Sequence, residues 1–515
     1  MRDDVLYAIV LVLSLSAGLA LPVLRPRTRR AASAALGILL LLGTCGPTGA
    51  LYPLGCVLSA YGVLVLAPRG TRGRLCFCCA FGGLGLLRLL GSPSGPANAV
   101  QLVLTLRLAS LGFDVDDDTL RAAHPEGNLH GDEETPPLLL LLEYSFCYHG
   151  LFTGPFYRYA QWANAMSSGA QASLAPERIV RLATGRALAV ALLTLAVWCA
   201  AATGLPYRPM SIGEDWWLEW PIHRRLAYFY ASSFQQRYRF YVCWSVVEAA
   251  GHLARFSSPA NVRPLQCETA CSPSALIAGW NVSVHYFLRD YVYRRLPIRG
   301  RSARQFITFG VSAFWHGLRP GYYLFFSGLF GMVCVEQLVR AAMGRLGSCI
   351  YFHPAVEFRS DSDSDVLDSR GSTRNDSRLL SDLHNAAAGG QAAEGKMRNG
   401  SSFSFVEEQR ASQVDRLIRL GRLLGSPIVR RSGQVVSHLW TMGCLTYFGA
   451  AFNVLGFAQT QVLWRSLHFY GLWLLAVPAA FAAAVLIVVP NVSTSRTLRG
   501  KGSTSLSPIP KAHND

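Results

Sequence analysis

A single histidine, His316, lies in an otherwise apolar run at residues 309–326 that contains no acidic side chain. If the run is helical, Thr308, Ser312 and His316 recur every four residues and share one face. Pro320 is predicted to end or bend that helix one turn after His316. An ionisable side chain at membrane depth is costly, so it indicates a functional site. The alternative is a packing histidine that is hydrogen-bonded to a neighbouring helix.

Such an imidazole could act as a general base. It would take a proton from the hydroxyl of one substrate while the second substrate is already activated. Asn281 lies 35 residues earlier, and its amide could orient the imidazole or donate to a developing oxyanion. No Ser or Cys lies directly beside His316. This favours direct transfer between two bound substrates over a covalent enzyme intermediate.

Arginine and aromatic side chains in apolar segments are suited to an anionic, acyl-bearing substrate. Residues 226–254 allow two interpretations. They form either the wall of a cavity that binds an anionic ligand or an interfacial helix whose arginines snorkel to the membrane surface. Asn281, His285 and Arg289 are spaced four apart, which predicts one shared helical face. The candidate substrate-binding residues are Trp315, Ser312, Arg158, Arg237, Arg239, Tyr148, His285 and Arg289.

The elements that carry these residues are predicted to be membrane helices. The chain has 515 residues, of which 51% are hydrophobic and only 15% are charged. Apolar runs of spanning length recur along it, which predicts an all-α, polytopic integral membrane protein. Basic and uncharged loops alternate between the first spans, which places the N-terminus in the lumen. About ten or eleven membrane segments are expected, at residues 5–24, 31–45, 53–67, 76–90, 98–113, 136–153 (a broken helix), 187–202, 226–254, 322–342, 438–457 and 467–489.

Composition divides the chain into four parts. Residues 1–358 are predicted to form the membrane-embedded core with the catalytic segments. Residues 359–409 are rich in Ser, Asp, Gly and Asn and are predicted to be a disordered cytosolic insert. Residues 410–490 hold a basic amphipathic helix at 411–428 and the last two spans, and residues 491–515 form a basic cytosolic tail.

Several function classes are excluded by what the sequence lacks. The net charge of +17 is spread over short loops beside apolar segments, so no nucleic-acid partner is expected. Cys267 and Cys271 have no second ligand pair at zinc-site spacing, and there is no phosphate-binding loop or metalloprotease motif. No metal or prosthetic group is expected.

Residues 280–281 and 314–323, which read Trp-Asn and Phe-Trp-His-Gly-Leu-Arg-Pro-Gly-Tyr-Tyr, resemble the Asn and His signature of the membrane-bound O-acyltransferase family. Further stretches are similar to its lysophospholipid acyltransferase branch, and most of all to members that act on lysophosphatidylinositol. These stretches are residues 44–47, 98–106, 144–148, 153–159 and 239–244.

The resemblance implies transfer of a fatty acyl group from acyl-CoA, the co-substrate, to the sn-2 hydroxyl of a lysophospholipid drawn from the bilayer. His316 would be the base, and Asn281 would position the imidazole or the thioester carbonyl. The implied fold is a ring of helices around a chamber open to the cytosol and to the membrane lipid, in the endoplasmic reticulum membrane.

Two alternatives remain. Within the family, the acceptor would be another lysophospholipid, a neutral lipid or a protein hydroxyl. Outside enzymes, the rival is a membrane transporter, although no inverted repeat is visible in the sequence and intramembrane Asp and Glu are few.

Overall fold

The computed structural model describes residues 2–91, 94–118, 135–167, 177–204, 218–256, 260–347 and 427–489. These residues form helices, and none of them belongs to a β-strand. The all-α prediction is confirmed for this part of the chain. The predicted insert at 359–409, the tail at 491–515 and all but the end of the amphipathic helix at 411–428 lie outside it.

The chain separates into two compact units. One comprises Met1–Val339 with Gln434–Ala482, and the other comprises Arg340–Gly433 with Ala483–Asp515. Every residue of the candidate site belongs to the first unit.

The described residues form both long apolar helices and short ones. Six helices among the described ranges are long and apolar enough to cross a membrane, which supports a multi-pass membrane protein, while the count of ten or eleven spans stays a prediction. In chain order the α-helices are α1 Arg2–Ala20, α2 Pro26–Leu66, α3 Arg72–Leu90, α4 Gly95–Asp116, α5 Leu138–Ser145, α6 Tyr159–Ser167, α7 Glu177–Gly204, α8 Ile222–Leu253, α9 Pro264–Glu268, α10 Pro273–Gly279, α11 Val282–Phe287, α12 Arg301–His316, α13 Pro320–Gly347, α14 Pro427–Val454, α15 Phe457–Ser466 and α16 Tyr470–Val488.

The helix α2 corrects the prediction of two spans, at 31–45 and 53–67, separated by a loop. It is 41 residues long and has one break at Gly46, where φ is 71° and ψ is 175°. Glycine adopts this positive φ without a steric penalty, and Pro47 has the fixed φ that starts a helix well. The expected loop is therefore a kink between two helical halves.

The broken helix predicted at 136–153 is confirmed. Helix α5 ends at Ser145, and no regular α-helix follows until α6 starts at Tyr159. Arg107 of α4 is fully buried beneath this irregular stretch and donates to the carbonyls of Tyr144, Ser145 and His149, at 3.1, 2.9 and 2.8 Å. Non-helical backbone away from water must find such partners inside the protein.

An ion pair fixes the segment that leads to Asn281 against α8. Arg237, in the middle of α8, is 6% exposed. Its Nε and Nη2 donate to both carboxylate oxygens of Glu268, at the end of α9, over 2.8 and 3.0 Å. Tyr241 donates to the same carboxylate at 2.8 Å.

Glu268→Gln is expected to lower the free energy of unfolding by about 3–5 kcal/mol, because it leaves the buried guanidinium of Arg237 without its counter-charge. Thermal unfolding of the purified protein in detergent measures the loss. The matched control is Glu177→Gln. The Glu177 carboxylate is more than half exposed where it pairs with Arg181 and Arg255, so its loss should change the melting temperature less. Equal melting temperatures for the two variants would contradict the structural role of the Arg237–Glu268 pair.

Candidate active site

His316 is the last residue of α12. Thr308 and Ser312 precede it in the same helix, so the predicted shared face is confirmed, and Ser312 is buried. The predicted helix end was wrong by one turn. The helix ends at His316, and Pro320 begins α13 rather than ending α12, which is the helix position that proline favours most.

The turn between α12 and α13 depends on Gly317. A Cβ atom on this residue would overlap the ring of Tyr322 in α13. Because glycine has no side chain, Tyr322 can close over the end of α12 and lie beside His316, with 6.0 Å between the ring centroids.

The imidazole of His316 lies among aromatic rings. The centroid distances are 4.7 Å to Trp315, 5.2 Å to Phe326 of α13 and 5.0 Å to Phe452 of α14. Two of the partners approach in the edge-to-face manner and one is stacked. These rings restrict the orientation of the imidazole without offering it a hydrogen bond of ordinary strength.

No residue in the part of the chain that the structure describes forms a side-chain hydrogen bond with the His316 ring, and the residue is half-buried. His149 differs, since both of its nitrogens are fully buried without a hydrogen-bond partner among the described residues. The alternative of a packing histidine required a bond to a neighbouring helix, and the described residues provide none. The predicted role of His316 as a base stays a prediction.

Trp315 anchors the end of α12. It is 6% exposed, and its indole Nε1 donates to the carbonyl of Leu102 in α4 at 3.0 Å. Its ring packs with the cluster built from α2, α3 and α4, whereas Ala313 packs with the cluster of α13 and α14. In this structure the role of Trp315 is to hold the helix end, and its predicted contact with substrate stays a prediction.

Asn281 does not share a helical face with His285 and Arg289, so that prediction was wrong. Asn281 precedes α11 in a left-handed conformation, with φ 45° and ψ 55°. Helix α11 is only six residues long and passes into a π-helical turn at Leu288–Val292. A π turn contains an extra residue, which rotates the following side chains away from the α-helical register.

Asn261 holds Asn281 in place, and nothing in the sequence pattern singled it out. Its amide Nδ2 donates to Asn281 Oδ1 at 3.1 Å, while its own Oδ1 accepts from the Ser283 hydroxyl at 2.7 Å. The Ser283 hydroxyl in turn accepts from the backbone N–H of Phe156 at 3.0 Å. Asn261 is 1% exposed, so this chain of bonds is shielded from water and joins Asn281 to the irregular stretch after α5.

The structure does not join His316 and Asn281 by a hydrogen bond or a ring contact within the described ranges. Ala313 and Phe326, near His316, pack in one hydrophobic cluster, and Trp280, which precedes Asn281, packs in another. Leu445 of α14 packs against both clusters. The surroundings of the two signature residues are thus two separate hydrophobic clusters, which meet at Leu445.

The arginines predicted to bind substrate are engaged with acidic side chains or exposed. Arg158 and Arg289 both pair with Asp290, at 3.1 and 2.8 Å, and Arg294 pairs with the same carboxylate at 3.1 Å. Asp290 is thus a shared counter-charge of three guanidinium groups. Arg237 is bound by Glu268, as described above.

The other candidates are spread over several elements. Tyr148 is buried in the stretch after α5, and its hydroxyl has no hydrogen-bond partner among the described residues. Arg239 is exposed on α8, and His285 is half-buried in α11. Their roles in substrate binding stay predictions. Nowhere in the described ranges do three or more His, Cys, Asp or Glu side chains meet in a way that could hold a metal ion.

Comparison with known proteins shows which family this chain matches. The profile of the membrane-bound O-acyltransferase family matches residues 97–347. The chain is 31% identical to the membrane-bound acylglycerophosphatidylinositol O-acyltransferase MBOAT7 of Bos taurus over 401 residues, which are 66% of this chain and 81% of that protein. The human protein of the same name is 31% identical over 403 residues, 67% of this chain and 80% of its own length.

This chain belongs to the membrane-bound O-acyltransferase family. It is also similar to lysophospholipid acyltransferase 1 of Arabidopsis thaliana, with 29% identity over 251 residues, 44% of this chain and 53% of that protein. The resemblance read from the sequence is confirmed, and the chain is an acyltransferase. The family match at 97–347 contains Asn261, Asn281 and His316.

Asn261→Ala is expected to lower the rate of acyl transfer by up to about 10²-fold, because small displacements of a positioned group have effects of that size. Asn261→Asp is the matched control. It keeps the acceptor for Ser283 but cannot donate to Asn281 as Asn261 does. Its rate should therefore fall between that of the wild type and that of Asn261→Ala.

Initial rates with equal amounts of folded protein, checked by gel filtration, measure the effect. A folded Asn261→Ala variant with the wild-type rate would show that Asn281 needs no support from Asn261.

Proposed function

We propose that this acyltransferase moves a fatty acyl group from acyl-CoA to the sn-2 hydroxyl of a lysophospholipid, with lysophosphatidylinositol as the first acceptor. The proposal is supported by the similarity to proteins named as acylglycerophosphatidylinositol and lysophospholipid acyltransferases. We place the reaction in the endoplasmic reticulum membrane, where the acceptor would enter from the bilayer. No metal or prosthetic group takes part in the proposed reaction.

The observation that carries the proposal is the state of the His316 side chain. Its ring is oriented by Trp315, Phe326 and Phe452, while its nitrogens are left without a protein partner in the described part of the chain. A general base needs both properties, since it must be held still and yet must accept a proton from the substrate.

In the proposed reaction a nitrogen of the neutral His316 imidazole accepts the proton of the sn-2 hydroxyl. The hydroxyl oxygen attacks the carbonyl carbon of the acyl-CoA thioester, and the C–S bond breaks as the ester forms. The sulfur of CoA leaves with the bonding electron pair and takes the proton from the imidazolium. Asn281 positions the imidazole or donates a hydrogen bond to the carbonyl oxygen as negative charge develops on it.

The acceptor head group is proposed to bind through its phosphate. Arg158, Arg289 and Arg294 cluster around Asp290, and guanidinium groups bind phosphate through paired hydrogen bonds. Arg237 and Arg239 are candidates for the same reason. Since Arg237 is saturated by Glu268 and Ser233, the cluster at Asp290 is the stronger candidate.

His316→Ala is expected to lower turnover by at least about 10²–10⁴-fold while acyl-CoA binding and folding are kept, because the general base is lost but the chamber is not. Asn281→Ala should be impaired for the related reason that the base and the thioester lose their orienting partner. His223→Ala is the control, since His223 is exposed at the start of α8. A His316→Ala enzyme that binds acyl-CoA and turns over at close to the wild-type rate would refute the mechanism.

The acceptor is tested with purified enzyme, labelled acyl-CoA and a panel of lysophosphatidylinositol, other lysophospholipids, diacylglycerol and a peptide hydroxyl. Lysophosphatidylinositol is expected to give the highest kcat/KM, and neutral acceptors should react poorly because they lack a phosphate. A clear preference for diacylglycerol or the peptide would refute the lysophospholipid assignment. Preference for a different lysophospholipid would refute only the inositol head group.

A further inference from the structure

An arginine outside the family match holds the end of the helix that carries His316. Arg88 lies in the last turn of α3. Its Nη1 donates to the carbonyl of Phe314 at 2.7 Å, and its Nη2 to the carbonyls of Trp315 and His316 at 2.6 and 3.1 Å. The family match begins at residue 97, so the position of Arg88 does not come from it.

These carbonyls need a partner because α12 stops here. The carbonyl of Ala313 is the last to be satisfied by the helix itself, since it accepts from the N–H of Gly317 at 3.0 Å. The last carbonyls of a helix have no intrahelical donor, and they carry the negative end of the helix dipole. A guanidinium group is suited to this place because it is positively charged and presents several N–H groups in a rigid fork.

The fork itself is fixed by the neighbouring helix. Asn98 of α4 accepts from Arg88 Nη2 at 3.3 Å, and α4 also accepts the indole N–H of Trp315 through the carbonyl of Leu102. The α3–α4 pair therefore holds the end of α12 at two points, the carbonyls of residues 314–316 and the indole of Trp315. His316 has no side-chain hydrogen bond of its own among the described residues, so its position is set through its backbone and through ring contacts.

We propose that Arg88 is the positioning residue for His316: it fixes the end of α12, and with it the direction in which the imidazole meets the acceptor hydroxyl. This proposal rests on the proposed role of His316 as the base. Arg88 does not touch substrate in it, because its two terminal nitrogens donate to carbonyls of the protein. Its effect is therefore on kcat and not on the affinity for either substrate.

Arg88→Met removes the fork and keeps a side chain of similar length. The expected result is a kcat about 10²-fold lower, as for a misplaced catalytic group, with the KM values for acyl-CoA and for lysophosphatidylinositol unchanged. Arg88→Lys keeps the charge but offers one nitrogen in place of the fork, so its kcat should fall between those of Arg88→Met and wild type. In the His316→Ala background, Arg88→Met should cause no further loss, since residues that act as a unit are not additive.

Arg225→Met is the matched control. Arg225 of α8 donates to the carbonyl of Ser466, the last residue of α15, at 2.6 Å, so it performs the same task at a different helix end. This variant should lose stability while keeping its kcat.

A folded Arg88→Met enzyme with wild-type kcat overturns the proposal, as does a further loss in the His316→Ala background. If Arg88→Met does not fold, Arg88→Lys decides: an intermediate kcat supports the proposal and a wild-type kcat overturns it. A His316→Ala enzyme that is itself active would refute both the proposed role of His316 as the base and the positioning role of Arg88. If His316→Ala is inactive while Arg88→Met is fully active, only the positioning role of Arg88 is refuted.

Discussion

Broken helices in a low-dielectric surrounding leave backbone carbonyls that must find a donor inside the protein, and this requirement governs the structure. Arginine side chains from neighbouring helices meet it at several helix ends. Arg107 bonds the carbonyls at the end of α5, and Arg88 those at the end of α12. Arg29 bonds the carbonyl of Ala254, which caps α8, at 2.6 Å. Each of these contacts joins segments far apart in the sequence, so satisfying the helix ends also assembles the fold.

The candidate site follows from the same requirement. Because α12 ends at His316, the histidine lies at a helix end whose backbone is bound by Arg88, while its side chain projects among aromatic rings. Asn281 lies at another break, before the short helix α11, where Asn261 holds its amide. Both signature residues therefore occupy interruptions of regular structure. His316 is oriented there by ring contacts and through its backbone, and Asn281 by a hydrogen bond to its amide oxygen.

Much of this could be predicted from the sequence. Apolar length predicts the long helices, Gly-Pro at 154–155 accompanies the break after α5, and the Trp-His-Gly signature identifies the family and places His316. Local pattern could not predict which acceptor each arginine finds, because Glu268 lies 31 residues from Arg237 and the end of α12 lies more than 200 residues from Arg88. The π turn after α11 was missed because it follows from tertiary packing and not from spacing. Asn261 was missed because a single asparagine between apolar segments carries no periodic signal.

In the proposed mechanism a ring nitrogen of His316 accepts the proton of the acceptor hydroxyl. A structure of the enzyme in lipid nanodiscs, with lysophosphatidylinositol and a non-hydrolysable acyl-CoA analogue bound, tests it most directly. The sn-2 oxygen is expected at about 2.6–3.2 Å from a ring nitrogen of His316, the reach of a general base, with the analogue carbonyl next to that oxygen. A complex in which His316 bonds a protein neighbour while the sn-2 oxygen lies beside a different base would contradict it.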